Sequence, residues 1–307
     1  MDSAKFDTLV GVRFAHVGET ESAATRLAVV VDDRAAFVDD LIPNPPRDLQ
    51  DLISRGSEVS AAVQAEIHAA LTEATHSSHT PAVPLTDLHF GSAVQRPPIV
   101  LAVGLNYSEH ASELSIDNTS GPVLFSLFPN SLTGHKRTVP LPTRLSEEVD
   151  YEAELGVIIG KKAKNVSVEN ALDYVFGYTV VNDITARNLQ FQEPQWSRCK
   201  SFDGFTPTGP VVVTADEIPD PQKTRIKTVV NGVTVQDSSA DKMIRSVAQL
   251  ISSLSQETTL LPGTLISTGS PGGAGRSRKP PLYLHDGTVV TVSVDAIGEL
   301  TSYCAAI

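Results

Sequence analysis

From about Pro97 onward the chain is a succession of short strand-forming runs cut by glycine and proline: PIVLAVGLN, PVLFSLF, YEAELGVIIG, FGYTVVND, GPVVVTA, KTVVNGVTVQD, TLISTG and VVTVSVDAIG. Helical spacing interrupts them only near SEHASEL, ENALDYV and MIRSVAQLISSLS. Strands this numerous, without regular alternation of strand and helix, argue against a Rossmann fold or a TIM barrel and predict a mostly β, mixed-sheet architecture. The first ninety residues read differently. There TLVGVRF, RLAVVVDD and AAFVDDL precede SAAVQAEIHAALTEA, whose apolar residues recur near the 3.6-residue period of a helix. The class is therefore α+β, mostly β, with a small N-terminal α+β domain over residues 1–90 and a larger domain over 91–307. The polar, proline-bearing HSSHTPAVPLTD reads as a linker, with His76 and His79 as solvated loop residues.

Composition removes several classes of partner. A 307-residue chain with 41% hydrophobic residues has enough apolar surface for a buried core. Its net charge of −12, with no long basic block, gives nucleic acid or an anionic membrane little to hold. No apolar run approaches the ~20 residues that cross a bilayer, and MDSAKFDTLVGVRF lacks the apolar region of a secretory signal. Cys199 and Cys304 form neither a C-x-x-C nor a disulfide framework, which fits a reducing compartment, and a cytoplasmic protein is expected. No Cys/His spacing of the zinc kind is present.

The chemistry starts with VDYEAELGVIIG, residues 149–160. In a strand, Tyr151, Ala153, Leu155, Val157 and Ile159 share one face while Asp150, Glu152 and Glu154 share the other. The two glutamates would have Cα atoms roughly 6.6 Å apart, so their charges repel unless water or a cation screens them. A third carboxylate, Asp183, follows a strand in FGYTVVNDITARNLQ. Taken singly, the glutamates read as a solvated strand face and Asp183 as a helix N-cap. Taken together, three carboxylates without thiolates or clustered imidazoles make an all-oxygen donor set suited to Mg²⁺, Mn²⁺ or Ca²⁺.

Other groups could join them. In AVGLNYSEHASEL, His110 and Glu113 lie three apart, on one face if the segment is helical; they form either a surface pair or a carboxylate-oriented base able to deprotonate water. Lys200, in WSRCKSFDGFTP, is either an ordinary exposed lysine or, beside a metal, a group that polarises a carbonyl or stabilises an enolate. The glycine-rich STGSPGGAG of residues 267–275 has neither the P-loop nor the dinucleotide spacing, so it reads as a tight loop offering Ser270 to a substrate oxygen. Met243 and the apolar positions of MIRSVAQLISSLS read as core.

These segments, in this order, resemble the fumarylacetoacetate hydrolase family: NYSEHASEL, VDYEAELGVIIGKKAKNV, YVFGYTVVNDITARNLQ, KSFDGFTPTGP, VNGVTVQ, LISSLS, LLPGTLISTGSPGGAG and HDGTVVTVSVDAIGEL. The resemblance covers about residues 98 to 303. It implies a mixed β-roll catalytic domain, usually homodimeric, with Mg²⁺ or Mn²⁺ held by Glu152, Glu154 and Asp183. It further implies Lys200 as the catalytic lysine, Arg187, Gln190 and Ser270 as substrate-binding residues, and His110 with Glu113 as the water-activating dyad of acylpyruvase-like members. The implied activity is hydrolysis of a carbon-carbon bond in a 2,4-dioxo acid through a metal-bound enolate, with decarboxylation of an oxaloacetate-like acid or keto-enol tautomerisation as the alternative. A non-catalytic binding protein is the reading from another class. The sequence departs from the family pattern where F-x-K-P becomes Phe125, Ser126, Leu127 and Phe128, where T-A-R-D ends in Asn188, and where G-T-P becomes G-S-P at Ser270.

Overall fold

The computed structural model describes residues 12–76, 82–109 and 123–307. The N-terminal part carries β1 (Arg13–Gly18), β2 (Arg26–Val31), β3 (Arg34–Phe37), the helices Leu49–Ser54 and Ser57–His76, β4 (Ala82–Pro84) and β5 (His89–Phe90). Then come β6 (Val100–Gly104), β7 (Val123–Leu127), β8 (Leu132–Thr133) and β9 (Arg137–Leu141). The acidic segments lie on β10 (Val149–Asp150), β11 (Ala153–Ile159), β12 (Val175–Asn182) and β13 (Thr185–Ala186), followed by the short helix Arg187–Gln192 and β14 (Thr206–Thr214). The chain ends with β15 (Arg225–Val230), β16 (Val233–Ser239), the helix Val247–Leu254, β17 (Leu265–Ser267), β18 (Val289–Val294) and β19 (Gly298–Ala306).

The strands form a mostly β, mixed-sheet architecture, as the succession of short apolar runs requires. One sheet runs β4-β3-β2-β1-β14-β12-β11-β17-β6-β7, and a second runs β16-β15-β18-β19-β9. The change of pattern near residue 90 does not interrupt the large sheet: β1 pairs antiparallel with β14, placing Arg13 opposite Val213 and Phe14 opposite Val212. Part of the expected linker is itself strand, since β4 pairs with β3. His76 closes a helix, whereas His79 lies outside the described residues. A buried histidine fastens the N-terminal part. His16 Nδ1 donates to the Ala93 carbonyl at 3.1 Å and Nε2 accepts the Leu49 N–H at 3.3 Å, while burial lowers its pKa to about 4, so the ring is neutral.

Local chemistry explains the smaller elements. Asn231 and Gly232 have φ of 47° and 82°, the left-handed pair of a tight hairpin turn, and they join β15 to β16. The helix Val247–Leu254 opens on a capping box between Ser246 and Gln249. ENALDYV forms a 3-10 turn over Val168–Tyr174 where a helix was expected.

VDYEAELGVIIG is not one strand. Tyr151 and Glu152 separate β10 from β11, and side chains satisfy the interrupted backbone: Glu152 N–H donates to Asn182 Oδ1 at 3.1 Å and Ala153 N–H to Gln236 Oε1 at 3.0 Å. The parity of the apolar side nevertheless holds. Tyr151, Ala153, Leu155, Val157 and Ile159 all enter the larger core cluster, while Ile158 enters a second one with Val181 and Leu265. All seven residues of β11 are buried, so the face carrying Glu154 meets protein and not water.

Candidate active site

The large sheet delivers its acids to one place by ending strands there. Glu154 is the second residue of β11, Glu152 precedes that strand, and Asp183 follows the last residue of β12. The Asp183 N–H donates to the Glu152 carbonyl at 2.9 Å, fixing the two backbones together. One oxygen from each of Glu152, Glu154 and Asp183 lies within 4.8 Å of the others, the one such cluster of ligating groups among the described residues. Asp183 caps no helix: Ala186 occupies the N-cap position of the following helix. None of the three is a solvated surface group, since their exposures are 4, 2 and 1%.

Lys200 is likewise buried and not an exposed lysine. Its Nζ donates to Glu152 Oε2 at 2.5 Å and to Asp183 Oδ2 at 2.7 Å. Burial disfavours the ammonium, but the two carboxylates outweigh it and hold the pKa above the usual lysine range. Arg187 donates through Nε to Asp150 Oδ1 and through a terminal nitrogen to Glu152 Oε1, both at 2.6 Å, and through the other to Gln190 Oε1 at 2.9 Å. Asp150 also accepts the Arg276 N–H at 2.8 Å.

The narrow cavity over these groups is lined by Glu152, Glu154, Asp183, Gln190, Lys200 and Ser270, with Phe125, Trp196 and Val103 among its apolar walls. Arg187 is not among the residues lining it, and its guanidinium grips Asp150, Glu152 and Gln190. Leu127 packs in the second core cluster, and it is Phe125, two residues earlier on the same face of β7, that reaches the cavity, 5.3 Å from Lys200 Nζ. Met243 is core, as expected. His110 and Glu113 lie outside the described residues. Reasoning from sequence also missed Asp150 as the partner of Arg187, Ser267 as a donor to Glu154, and Gln236 behind Ser270. The same-face rule could have found Asp150, and the signal for Gln236 was its place at the end of the VNGVTVQ segment.

The electrostatics fit a divalent ion. With all four ionised, Asp150, Glu152, Glu154 and Asp183 would set four negative charges against two positive charges on Lys200 and Arg187, an excess of 4 − 2 = 2 that a buried site can keep only with a divalent ion or by holding protons. Burial, reinforced by Asp183 and Glu152, pushes Glu154 up to about 8, although Ser267 Oγ at 2.5 Å and Gly269 N–H at 2.8 Å both donate to its Oε2. Burial also pushes Asp183 up to about 6 against the pull of Lys200. Asp183 Oδ1 is buried without a hydrogen-bond partner among the described residues, an acceptor that a cation would satisfy. All donors are oxygens, so Glu152, Glu154 and Asp183 suit a hard ion of the Mg²⁺ or Mn²⁺ kind.

The family model for the fumarylacetoacetate (FAA) hydrolase C-terminal region matches residues 99–304. The chain belongs to the fumarylacetoacetate hydrolase family. An uncharacterised protein of Staphylococcus haemolyticus is 40% identical over 223 residues, 73% of this chain and 74% of the relative. A fumarylacetoacetate hydrolase from psychrophilic Exiguobacterium antarcticum superposes with a TM-score of 0.81 at 34% identity, covering 96% of this chain and 100% of that one. A maleylpyruvate hydrolase from a Sphingobium species, solved with manganese(II) and pyruvate, gives 0.77 at 26% identity, covering 96% and 99%. A 5-carboxymethyl-2-hydroxymuconate delta-isomerase from Mycobacterium smegmatis gives 0.72 at 27% identity, covering 96% and 99%. The family thus holds both hydrolases and isomerases on this fold. Among the described residues no helix is long and apolar enough to cross a membrane.

Proposed function

We propose that the protein is a divalent-metal-dependent hydrolase cleaving a carbon-carbon bond in a 2,4-dioxo acid of the acylpyruvate type. The observation that carries this reading is the buried group of Glu152, Glu154 and Asp183, with its unsatisfied Asp183 oxygen, joined to Lys200 in one cavity. A bound Mg²⁺ or Mn²⁺ would supply Lewis-acid stabilisation of negative charge on substrate oxygens. Lys200, kept cationic by its two carboxylates, donates to the oxygen on which charge develops and does not act as a base. Phe125 and Trp196, in edge contact at 5.6 Å between ring centroids, keep water from that side of the cavity.

In the reaction proposed, His110, oriented by Glu113, takes a proton from water as the water oxygen bonds to the C4 carbonyl carbon. The bond between C3 and C4 then breaks, its electron pair passes to the C2 oxygen as an enolate, and the proton taken by His110 is returned to C3, giving pyruvate beside a carboxylic acid and the neutral imidazole. Pyruvate is the small molecule held by the manganese-loaded maleylpyruvate hydrolase, which favours this class of substrate. The isomerase relative favours the second reading, in which decarboxylation or keto-enol tautomerisation uses the same acids and Lys200 without attack by water. The homodimer and the cytoplasmic location implied by the sequence belong to the same proposal.

Assay of purified protein with Mn²⁺ against acylpyruvates, oxaloacetate and enol acids tests it. Pyruvate and a carboxylic acid in equal amounts are expected from an acylpyruvate; uncleaved acylpyruvates with carbon dioxide and pyruvate formed from oxaloacetate, or tautomers alone, would install the second reading. On the hydrolysed substrate, His110→Ala should lower kcat by about 10²- to 10⁴-fold with Mn²⁺ binding intact.

A further inference from the structure

Behind Ser270 stands a residue to which the reaction assigns no role, the last of the VNGVTVQ segment. Gln236, on β16 of the smaller sheet, is 2% exposed and reaches across to the acidic strand and the glycine-rich loop at once. Its Oε1 accepts from Ala153 N–H at 3.0 Å and from Thr228 Oγ1 at 2.8 Å. Its Nε2 donates to the Pro271 carbonyl and to Ser270 Oγ, both at 2.9 Å. The orientation of this amide follows from its neighbours: the Ala153 N–H can only donate and the Pro271 carbonyl can only accept. Both hydrogens of the amide nitrogen and both lone pairs of its oxygen are therefore assigned. Ser270 lies on the nitrogen side, so its oxygen must accept, and its own hydrogen is directed to another acceptor.

We infer that Gln236 is a positioning residue that fixes the polarity of the Ser270 hydroxyl, making it a hydrogen-bond donor toward an acceptor oxygen of the substrate, a carboxylate or carbonyl. Ser270 lines the cavity together with Lys200 and the three acids, so that donated hydrogen is available where the substrate lies. Gln236 also holds Ala153, the residue between the two glutamates, so one amide sets both the strand entering the acidic cluster and the hydroxyl opposite it. The inference rests on the functional reading above and names the chemistry of one of its subsites.

The test is a calorimetric titration of Mn²⁺, then of pyruvate into the Mn²⁺-loaded protein, for wild type, Gln236→Glu, Gln236→Met, Ser270→Ala and the double variant Gln236→Met/Ser270→Ala. In Gln236→Glu the introduced oxygen accepts from Ser270 and reverses its hydroxyl, so pyruvate should bind at least about tenfold more weakly, while Mn²⁺ affinity stays within about twofold. Gln236→Met, close in volume and uncharged, lets the hydroxyl rotate and should weaken pyruvate less than Gln236→Glu does; it also keeps the test open if the charged variant does not fold. Adding Gln236→Met to Ser270→Ala should weaken pyruvate binding less than the same substitution does in the wild type, because only its hold on Ala153 is then left to lose, a non-additivity that general damage to the fold would not produce. Pyruvate binding equal to wild type in both Gln236 variants, or losses that add in the double variant, would overturn the assignment of Gln236 alone. Failure of the Mn²⁺-loaded wild type to bind pyruvate would overturn this inference together with the functional reading beneath it.

Discussion

Strands β11 and β18 are both rich in branched apolar residues, and both lie inside a sheet, yet they treat their second face in opposite ways. In β18, Val290, Val292 and Val294 are buried while Val289, Thr291 and Ser293 are half-buried, the alternation of a sheet with one face toward water. In β11 no residue alternates: the even face that begins with Ile158 in the second core cluster ends at Glu154 in the acidic site. A polar group on the half-buried face of β18 can find water. A carboxylate on β11 cannot, and must take its partners from protein or from an ion. The contrast explains why so many charges meet at one end of the large sheet, and it predicts where substitutions are costly.

The largest effect should come from removing the cation that bridges the acids. Lys200→Met leaves Glu152 and Asp183 without their ammonium partner, and breaking a buried pair in this way typically costs about 3–5 kcal/mol. Denaturant unfolding of the metal-free variant near neutral pH should show such a loss, and saturating Mn²⁺ should restore part of it. A loss under about 1 kcal/mol, the range of a surface ion pair, would mean that this end of β11 is solvated like β18.

A smaller effect concerns pH. Glu154 and Asp183 hold their protons to about 8 and about 6 in the folded, metal-free protein, above their ordinary values of 4.5 and 3.8. Because the folded state binds protons that the unfolded chain has already released, this contribution to stability is complete below the ordinary values and is lost as pH rises through the folded ones. His16 and His135, lowered to about 4 by burial, contribute with the opposite sign, losing stability as pH falls from 6.5 toward 4. Between about pH 7 and 8, where Glu154 still titrates and the histidines are mostly neutral in both states, the melting temperature of the metal-free protein should fall with pH. Saturating Mn²⁺, which displaces the protons, should flatten the slope. Identical slopes with and without the ion would detach these acids from metal binding.

The smallest effect marks the other side of the comparison. Lys227 sits on β15, which alternates as β18 does and pairs with it at Ser293. Lys227→Gln should change stability by no more than about 0.5 kcal/mol, measured by the same unfolding experiment.

The same contrast sets what was legible in the sequence. Period-2 alternation carries much of the smaller sheet, although KTVVNGVTVQD, read as one run, is two strands joined at Asn231-Gly232, and the parity of Tyr151 through Ile159 identifies the apolar side of the acidic segment. The fate of the opposite side was not legible, because a strand does not record whether its second face meets water or another layer. The break at Tyr151 and Glu152 was hidden for a related reason: it depends on Asn182 and Gln236, distant residues whose side chains replace the missing ladder bonds. Residue type pointed to Glu152, Glu154, Asp183 and Lys200, whose meeting is a matter of strand ends. It did not reveal that Arg187 serves Asp150 and Glu152, since a guanidinium suits a substrate carboxylate and a buried aspartate equally well. Nor did it show that Phe125, and not Leu127, reaches the cavity from β7.

A divalent ion held by the acids at the ends of β11 and β12 would use the unsatisfied oxygen of Asp183. The most direct measurement is a calorimetric titration of Mn²⁺ into the metal-free wild type and into Asp183→Asn, with folding checked by circular dichroism. A single saturable site in the wild type, weakened at least about a hundredfold in the folded variant by loss of a charged ligand, is the result expected. Equal binding by the two proteins, or no saturable binding by the wild type, would contradict it.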